Sequence, residues 1–313
     1  MTGPSLADAL IAIAGAERVR TNVPMSELTT FRVGGPAEFL VDVSTADELR
    51  GVVAVAEAAG EPVTVIGGGS NLLVADAGVK GVVVRARLMD LSQPQPDRVR
   101  VGAGVTINGL VRWTVGRGLA ALEAWAGTPG TVGGAIYGNA HFGGRNIGEL
   151  VTRVRVMDRR GHLLDLEADQ MEFAYDASRL QRTKELLVWA EFAVESGETA
   201  ALREIARASL AHRKRTQPLD VPSAGCMFQN PDRVRDRVPD TIAASAGALI
   251  DRAGLKDRCI GGARISPVHC NFVVNDGQAT AADVVALVEL ARAVVRERFG
   301  VELRDEVVRI GFP

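Results

Sequence analysis

An α+β chain is predicted, on three observations. Strand and helix signals alternate over the first third, β-type segments dominate the middle, and a smaller region after about residue 200 mixes helices with short strands. In order, Phe39 to Val43 reads as a strand, Ala46 to Ala59 as an Ala/Val-rich helix, and Val63 to Ile66 as a buried strand. Beyond the glycines at 67 to 69, Leu72 to Val74 and Val79 to Val84 return to β-type residues, and Arg98 to Val101 alternates. A helix is expected over Thr106 to Val115. Leu150 to Met157, the turn at Arg160-Gly161 and His162 to Leu166 read as a hairpin, with Leu186 to Val194 as another strand. Glu198 to His212 is helical. The stretch 216 to 240 carries Pro218, Pro222, Pro231 and Pro239 and reads as an irregular loop. Gly247 to Ala253 is helical, Asn271 to Val274 a strand, and Thr280 to Phe299 the clearest helix. Thr280 caps it with Asp283 three residues on, Val284, Leu287, Val288, Ala291 and Val295 line one face, and Gly300 stops it. Two strands, Val301 to Leu303 and Val307 to Ile310, are expected to finish the chain.

Composition narrows the function classes. In 313 residues, 36 Lys+Arg oppose 38 Asp+Glu for a net charge of −2, and aromatics are 4%. Neither a basic nucleic-acid surface nor a base-stacking platform is suggested. With 47% hydrophobic residues the chain can bury one large core or two to three ordinary ones. No segment reaches the roughly 20 apolar residues that span a bilayer, and no basic run precedes the apolar stretch Leu10 to Ala14, which reads as a short surface helix. Cys226, Cys259 and Cys270 are too few for a disulfide framework and lack metal-ligand spacing, so no metal is expected and a reducing cytoplasm fits best. The four histidines, His141, His162, His212 and His269, show no metal pattern either.

Two glycine-rich loops could carry chemistry. Gly67, Gly68 and Gly69 follow a strand and lead into Ser70 and Asn71; glycines let successive backbone N–H groups turn toward one point and cradle phosphate oxygens. This is no dinucleotide fingerprint of the G-x-G-x-x-G kind, because Leu72 fills the last glycine position and a β-type run follows. About sixty residues on, Ala126 to Ala135 brings Thr128, Pro129, Gly130, Thr131, Gly133 and Gly134. Two such loops suit a diphosphate contacted from both sides, although either alone also reads as a packing turn. A third turn, Thr29 to Ala37, holds Arg32, able to reach phosphate or stack on a ring. Cys226 stands among small residues and reads either as a site thiol or as a small buried hydrophobe.

Together these segments resemble the UDP-N-acetylenolpyruvoylglucosamine reductase family of peptidoglycan precursor synthesis, along nearly the whole chain. The resemblance rests on TTFRVGGPA at 29–37, IGGGSNLL at 66–73, GTPGTVGGA at 127–135, QPLDVPSAGCMFQNP at 217–231, HCNFVVN at 269–275 and FGVELRDEVVRIG at 299–311. It implies a two-part FAD-binding region of the vanillyl-alcohol-oxidase type plus a C-terminal α+β substrate domain of the family's shorter branch. The expected segments are 1–60 and 61–200 for the two FAD subdomains and 201–313 for the substrate domain, with the last strands free to return to the FAD region. It further implies non-covalent FAD, NADPH as co-substrate, a UDP-sugar substrate and a monomeric enzyme. Arg32, Gly67, Gly68, Gly69, Ser70, Asn71, Thr128, Pro129, Gly130, Thr131, Gly133, Gly134 and Asn139 would hold the cofactor, and Tyr175, Arg179, Gln217, Ser223, Gly225 and Asn230 the substrate.

The implied chemistry is hydride addition to the enolpyruvyl ether followed by protonation. Cys226 occupies the position of the family's serine proton donor, and a thiol, at about 8.5 in peptides, is the stronger acid. Glu306 matches the C-terminal catalytic glutamate. The chain departs from the family at Tyr175-Asp176-Ala177-Ser178, where the family has Tyr-Arg-x-Ser and its arginine binds the substrate carboxylate. Two readings stay open: another arginine replaces it, Arg145 first and Arg179 second, or the chain is a diverged paralogue with another substrate or with no turnover.

Overall fold

The computed structural model describes residues 5–312. Caps set where its helices begin. Ser5 accepts from the Asp8 N–H and Asp8 answers the Ser5 N–H, starting the helix Leu6–Ala14. Thr45, Thr106 and Ser245 cap Ala46–Ala58, Ile107–Gly116 and Ala246–Arg252, each accepting from the N–H three residues on. Thr280 and Asp283 form the expected capping box of Ala281–Phe299, and Gly300 ends that helix in the left-handed region.

By contacts the chain forms two units, each assembled from separated segments. The first takes Met1–Val23, Ala37–Gly68 and Lys80–His212; the second takes Pro24–Pro36, Gly69–Val79 and Arg213–Pro313. In the first, the parallel pair Val63–Ile66 and Val79–Ala86 lies in a four-stranded sheet whose remaining members are Pro36–Val43 and, at its edge, Val19–Pro24. Val19–Pro24 escapes notice in the sequence because its residues are largely polar and exposed. A five-stranded antiparallel sheet follows, in the order Leu163–Glu167, Val151–Met157, Leu186–Ala193, Arg98–Gly102, Leu91–Gln95. Asp158 closes the expected hairpin by accepting from the N–H groups of Arg160 and His162, both at 2.8 Å. Leu49, Val52, Ile107, Leu110, Trp125 and Phe192 fill the core of this unit. The first helix is not the surface helix expected: Leu10 and Ala14 are fully buried in that same core. The brevity of the apolar run hid this, since one turn of apolar side chains is enough to seat a helix that caps well.

In the second unit the helix Ala281–Phe299 buries Val284, Leu287, Val288, Ala291 and Val295 in a core with Phe31, Phe228 and Leu249. Its sheet runs Ser223–Cys226, Phe272–Asn275, Ala263–Ile265, Cys259–Ile260. Two expectations need correction here. The stretch 216 to 240 is not all loop: Ser223–Cys226 is a strand, made from residues of low β-propensity because the neighbouring strand offers a free edge, and Arg233–Asp236 is a short helix. Conversely, Val301 to Leu303 is no strand. Val301 and Leu303 are buried in the core, so their alternation is real, but no strand pairs with them among the described residues. The final strand, Val308–Ile310, pairs in parallel with Leu72–Val74. No helix among the described residues is long and apolar enough to cross a membrane.

One ion pair ties the start of the first unit to its second helix. Arg18 donates to both oxygens of Glu48 at 2.9 and 2.8 Å, and the Ser44 N–H reaches the same carboxylate at 2.7 Å. The Arg18 hydrogen bond chiefly holds Glu48 at about 2, below its ordinary 4.5. A depressed carboxylate contributes stability that is complete above the ordinary value and lost as the pH falls through the depressed one. Arg18→Ala should therefore lower the melting temperature at pH 7, and its difference from the parent should shrink between pH 4.5 and about 2. A difference that stays constant on acidification would contradict this account.

Candidate active site

In the first unit the two glycine loops meet closely, Gly68 against the Gly130 backbone and Gly67 against the Thr131 side chain. A methyl group added to Gly67 would stand 2.2 Å from Thr131 Oγ1, and one added to Gly68 would stand 3.0 Å from the Gly130 Cα. The second loop is pinned on three sides. Asn108 accepts from the Gly127 N–H at 2.7 Å and donates to the Thr128 carbonyl at 3.1 Å, while the Ile107 N–H reaches the Gly130 carbonyl. Thr131 caps the six-residue helix Val132–Tyr137, which places Gly133 and Gly134 in its first turn. Pro129 bridges the fixed residues on either side. Among the described residues, the N–H groups of Gly67, Gly68, Gly130 and Thr131 donate to no acceptor of the protein. Backbone donors left this way call for an anion or water.

The second unit gathers a different set. Gly69, Ser70 and Asn71 continue the first loop, and their N–H groups likewise donate to no protein acceptor among the described residues. Thr30 Oγ1 donates to the Ser223 carbonyl at 2.7 Å and reaches the Gly69 carbonyl at 3.5 Å, while Asn275 donates to the carbonyls of Phe31 and Arg32. Arg32 itself is exposed, with a left-handed backbone. Asn71 Nδ2 donates to the Glu306 carbonyl at 3.1 Å, and the Glu306 N–H donates to the Met227 carbonyl at 2.9 Å. Cys226 and Glu306, eighty positions apart, are thus carried on adjoining segments, with Phe228 bridging to Asp305. Both side chains are half-buried. Gly225, at φ +80°, lets the strand shift register before Cys226 pairs with Phe272. Asn271 clamps Phe228 through its N–H and carbonyl at 3.0 and 2.7 Å.

Sequence reasoning missed one cation in this unit. Arg213, at the end of the helix Thr199–Thr216, is 5% exposed and donates to Gln217 Oε1 at 3.4 Å. Burial pushes its guanidinium down to about 10, and interaction with Cys226 opposes that fall. The basic run His212-Arg213-Lys214-Arg215 just before Gln217-Pro218 was the available signal. Asn230 serves its own unit, accepting from the Ala246 N–H at 3.1 Å.

The expected substrate residues of the first unit sit in the turn 174–178. Asn139 anchors it: buried, it donates to the Ala174 carbonyl at 2.8 Å and accepts from the Gly148 N–H at 3.0 Å. Ser178 Oγ donates to the Tyr137 carbonyl at 2.8 Å. Tyr175 is exposed, and Asp176 beside it reaches His141 Nδ1 at 3.0 Å. Arg179 is held by two hydrogen bonds to Glu185, at 2.8 and 3.0 Å. Arg145 is exposed, its guanidinium 5.6 Å above the buried Trp125 ring.

Similar proteins bear on this geometry. Residues 37–167, which contain both glycine loops, match a family of FAD-binding domains, and residues 217–310 match the UDP-N-acetylenolpyruvoylglucosamine reductase C-terminal domain. A UDP-N-acetylenolpyruvoylglucosamine reductase of Heliobacterium modesticaldum is 40% identical over 92% of this chain and 89% of its own length. That of Bacillus subtilis is 35% identical over 94% of each. The crystal structure of the corresponding enzyme from Thermus caldophilus superposes with a TM-score of 0.78 at 33% identity, covering 94% of this chain and 99% of that one. The cradle of undonated N–H groups fits the diphosphate of FAD. Gly67→Ala, which drives a methyl into Thr131, should weaken flavin binding by roughly tenfold or more, read as lost 450 nm absorbance at unchanged far-ultraviolet circular dichroism. Full flavin content in that variant would remove the loop contact from cofactor binding.

Proposed function

The chain belongs to the UDP-N-acetylenolpyruvoylglucosamine reductase family, and on that premise we propose that it reduces the enolpyruvyl ether of UDP-N-acetylglucosamine enolpyruvate to UDP-N-acetylmuramate, using FAD and NADPH. The observation that carries the reading is the adjacency of the Cys226 and Glu306 segments, joined by the Glu306 N–H to the Met227 carbonyl. FAD, when bound, supplies the redox chemistry, accepting hydride from NADPH and delivering it to C3 of the enol ether. In the first unit, the N–H groups of Gly67, Gly68, Gly130 and Thr131 would hold its diphosphate, and Pro129, Gly133 and Gly134 shape the second loop around them.

Cys226 gives its proton to C2, completing the addition of one hydride and one proton across the double bond. Arg213 favours this transfer, since the charge of a guanidinium that interacts with Cys226 stabilises the thiolate left behind. Glu306 stabilises the charge that builds on the carboxylate side before the proton arrives, as a protonated carboxyl. Tyr175, Arg179, Gln217, Ser223, Gly225 and Asn230 are assigned to the substrate, and a cation other than the family's arginine must meet its carboxylate. The same reading expects residues 201–313 to serve the substrate, and a monomer in the cytoplasm.

The test is a stopped-flow pair on the flavin-loaded protein. NADPH should bleach the flavin, and anaerobic UDP-N-acetylglucosamine enolpyruvate should then restore its colour. Cys226→Ala should slow the second phase by about 10²- to 10⁴-fold, the range a positioned general acid contributes, while Cys226→Ser keeps part of it. Bleaching without reoxidation in the parent protein would mean that the substrate is wrong.

A further inference from the structure

His141 and Asp176 form a pair that the reaction above does not use. His141 Nδ1 lies 3.0 Å from Asp176 Oδ1, and the His141 and Tyr175 rings stand 5.1 Å apart. The Asp176 side chain is 8% exposed, and its Oδ2 is buried without a hydrogen-bond partner, whereas the His141 side chain is 32% exposed. Asp176 is held in the left-handed region, at φ +51°, by the Ala174 to Ala177 bridge and by Gln181, which donates to its carbonyl at 2.9 Å. A non-glycine residue in that conformation is strained, so the surroundings impose the position of this carboxylate.

A buried carboxylate with an unmatched oxygen needs a positive charge beside it. The imidazole is the group in contact that can carry the charge, and a carboxylate at this distance favours the imidazolium. The other titratable or charged groups around it are Tyr175 on the turn and, on the hairpin His141–Phe142 and Arg145–Asn146, Arg145 with Glu149 behind it; His212 packs against Phe142. Asp176 is the acidic group of this set in contact with the ring.

Resting on the reductase reading, we propose that His141, held as an imidazolium by buried Asp176, presents the positive charge that binds the carboxylate of the enolpyruvyl substrate. The pair is well placed for this. It lies at the end of the helix Val132–Tyr137, whose six residues, about 9 Å long, separate it from the undonated N–H groups of the second glycine loop. Arg179 is already paired with Glu185 through Nε and Nη2, and Arg145 is solvated over an indole. A single inversion of sign, an acid where the resemblance leads one to expect a base, is thereby offset by a histidine from the neighbouring hairpin.

The test uses the flavin-loaded protein in two arms. Nitrogen-15 NMR of the imidazoles should find His141 doubly protonated at pH 7, with Asp176→Asn moving its titration to lower pH. In stopped flow, His141→Gln should raise the KM for UDP-N-acetylglucosamine enolpyruvate and slow reoxidation by about 10²- to 10³-fold, and His141→Arg should restore much of it. The parent's reoxidation should fall as the pH rises through the imidazolium titration, and His141→Arg should lose that alkaline limb. A neutral His141 at pH 7, or a His141→Gln reoxidised like the parent, would overturn the assignment, as would a loss seen in Arg145→Ala but not in His141→Gln. A parent protein that is bleached by NADPH yet never reoxidised by this substrate would instead sink the reductase reading on which the assignment rests.

Discussion

The close approach of Gly67-Gly68 to Gly130-Thr131 is the constraint on which the first unit's chemistry depends. The loops can come this near only because the first carries no side chain here: a Gly67 methyl would stand 2.2 Å from the Thr131 hydroxyl, and a Gly68 methyl 3.0 Å from the Gly130 Cα. The approach leaves four N–H groups without protein acceptors. Such clustered donors are satisfied by water or by an anion, and a diphosphate is the anion that meets several of them at once. Everything that fixes the loops follows from that need: the strand Val63–Ile66 that delivers the first, the Asn108 side chain that clamps the second, and the Thr131 cap that begins the helix leading to the turn at 174–178.

The second unit solves a different problem, the assembly of distant segments into one place. It does so with side-chain amides and hydroxyls aimed at backbone groups. Asn71 meets Glu306, Thr30 meets Ser223, Asn275 meets Phe31 and Arg32, and Asn271 clamps Phe228. Each such bond contributes on the order of 1 kcal/mol, but their geometry matters more than their sum. They set Cys226 and Glu306 on neighbouring segments of the chain.

Much of this was legible in the residues. Periodicity and caps placed the helix Ala281–Phe299 and the hairpin around Gly161, because those elements are decided locally. The strand Ser223–Cys226 was not legible, since its residues have no β preference of their own and pair only because Phe272–Asn275 is there. Val301 and Leu303 misled for the opposite reason, alternating like a strand while filling a core. Among candidate site residues, the glycine loops announced themselves by composition, whereas Arg213 and the His141–Asp176 pair did not. Burial of one cation and the meeting of two segments 35 positions apart are tertiary facts. The unexpected acid at 176 was visible in the sequence, but its histidine partner was not.

The claim that backbone N–H groups, and not side chains, hold a diphosphate in the glycine loops ties the cofactor, the short helix and the neighbouring turn together. Its most direct measurement compares the affinity of the apoprotein for FAD and for riboflavin, which carries the same ring system without phosphate, with ADP as competitor. FAD should bind at least about a thousandfold more tightly, a difference near 4 kcal/mol that several charge-assisted hydrogen bonds can supply, and ADP should displace it. Riboflavin binding as tightly as FAD, with ADP without effect, would contradict the account.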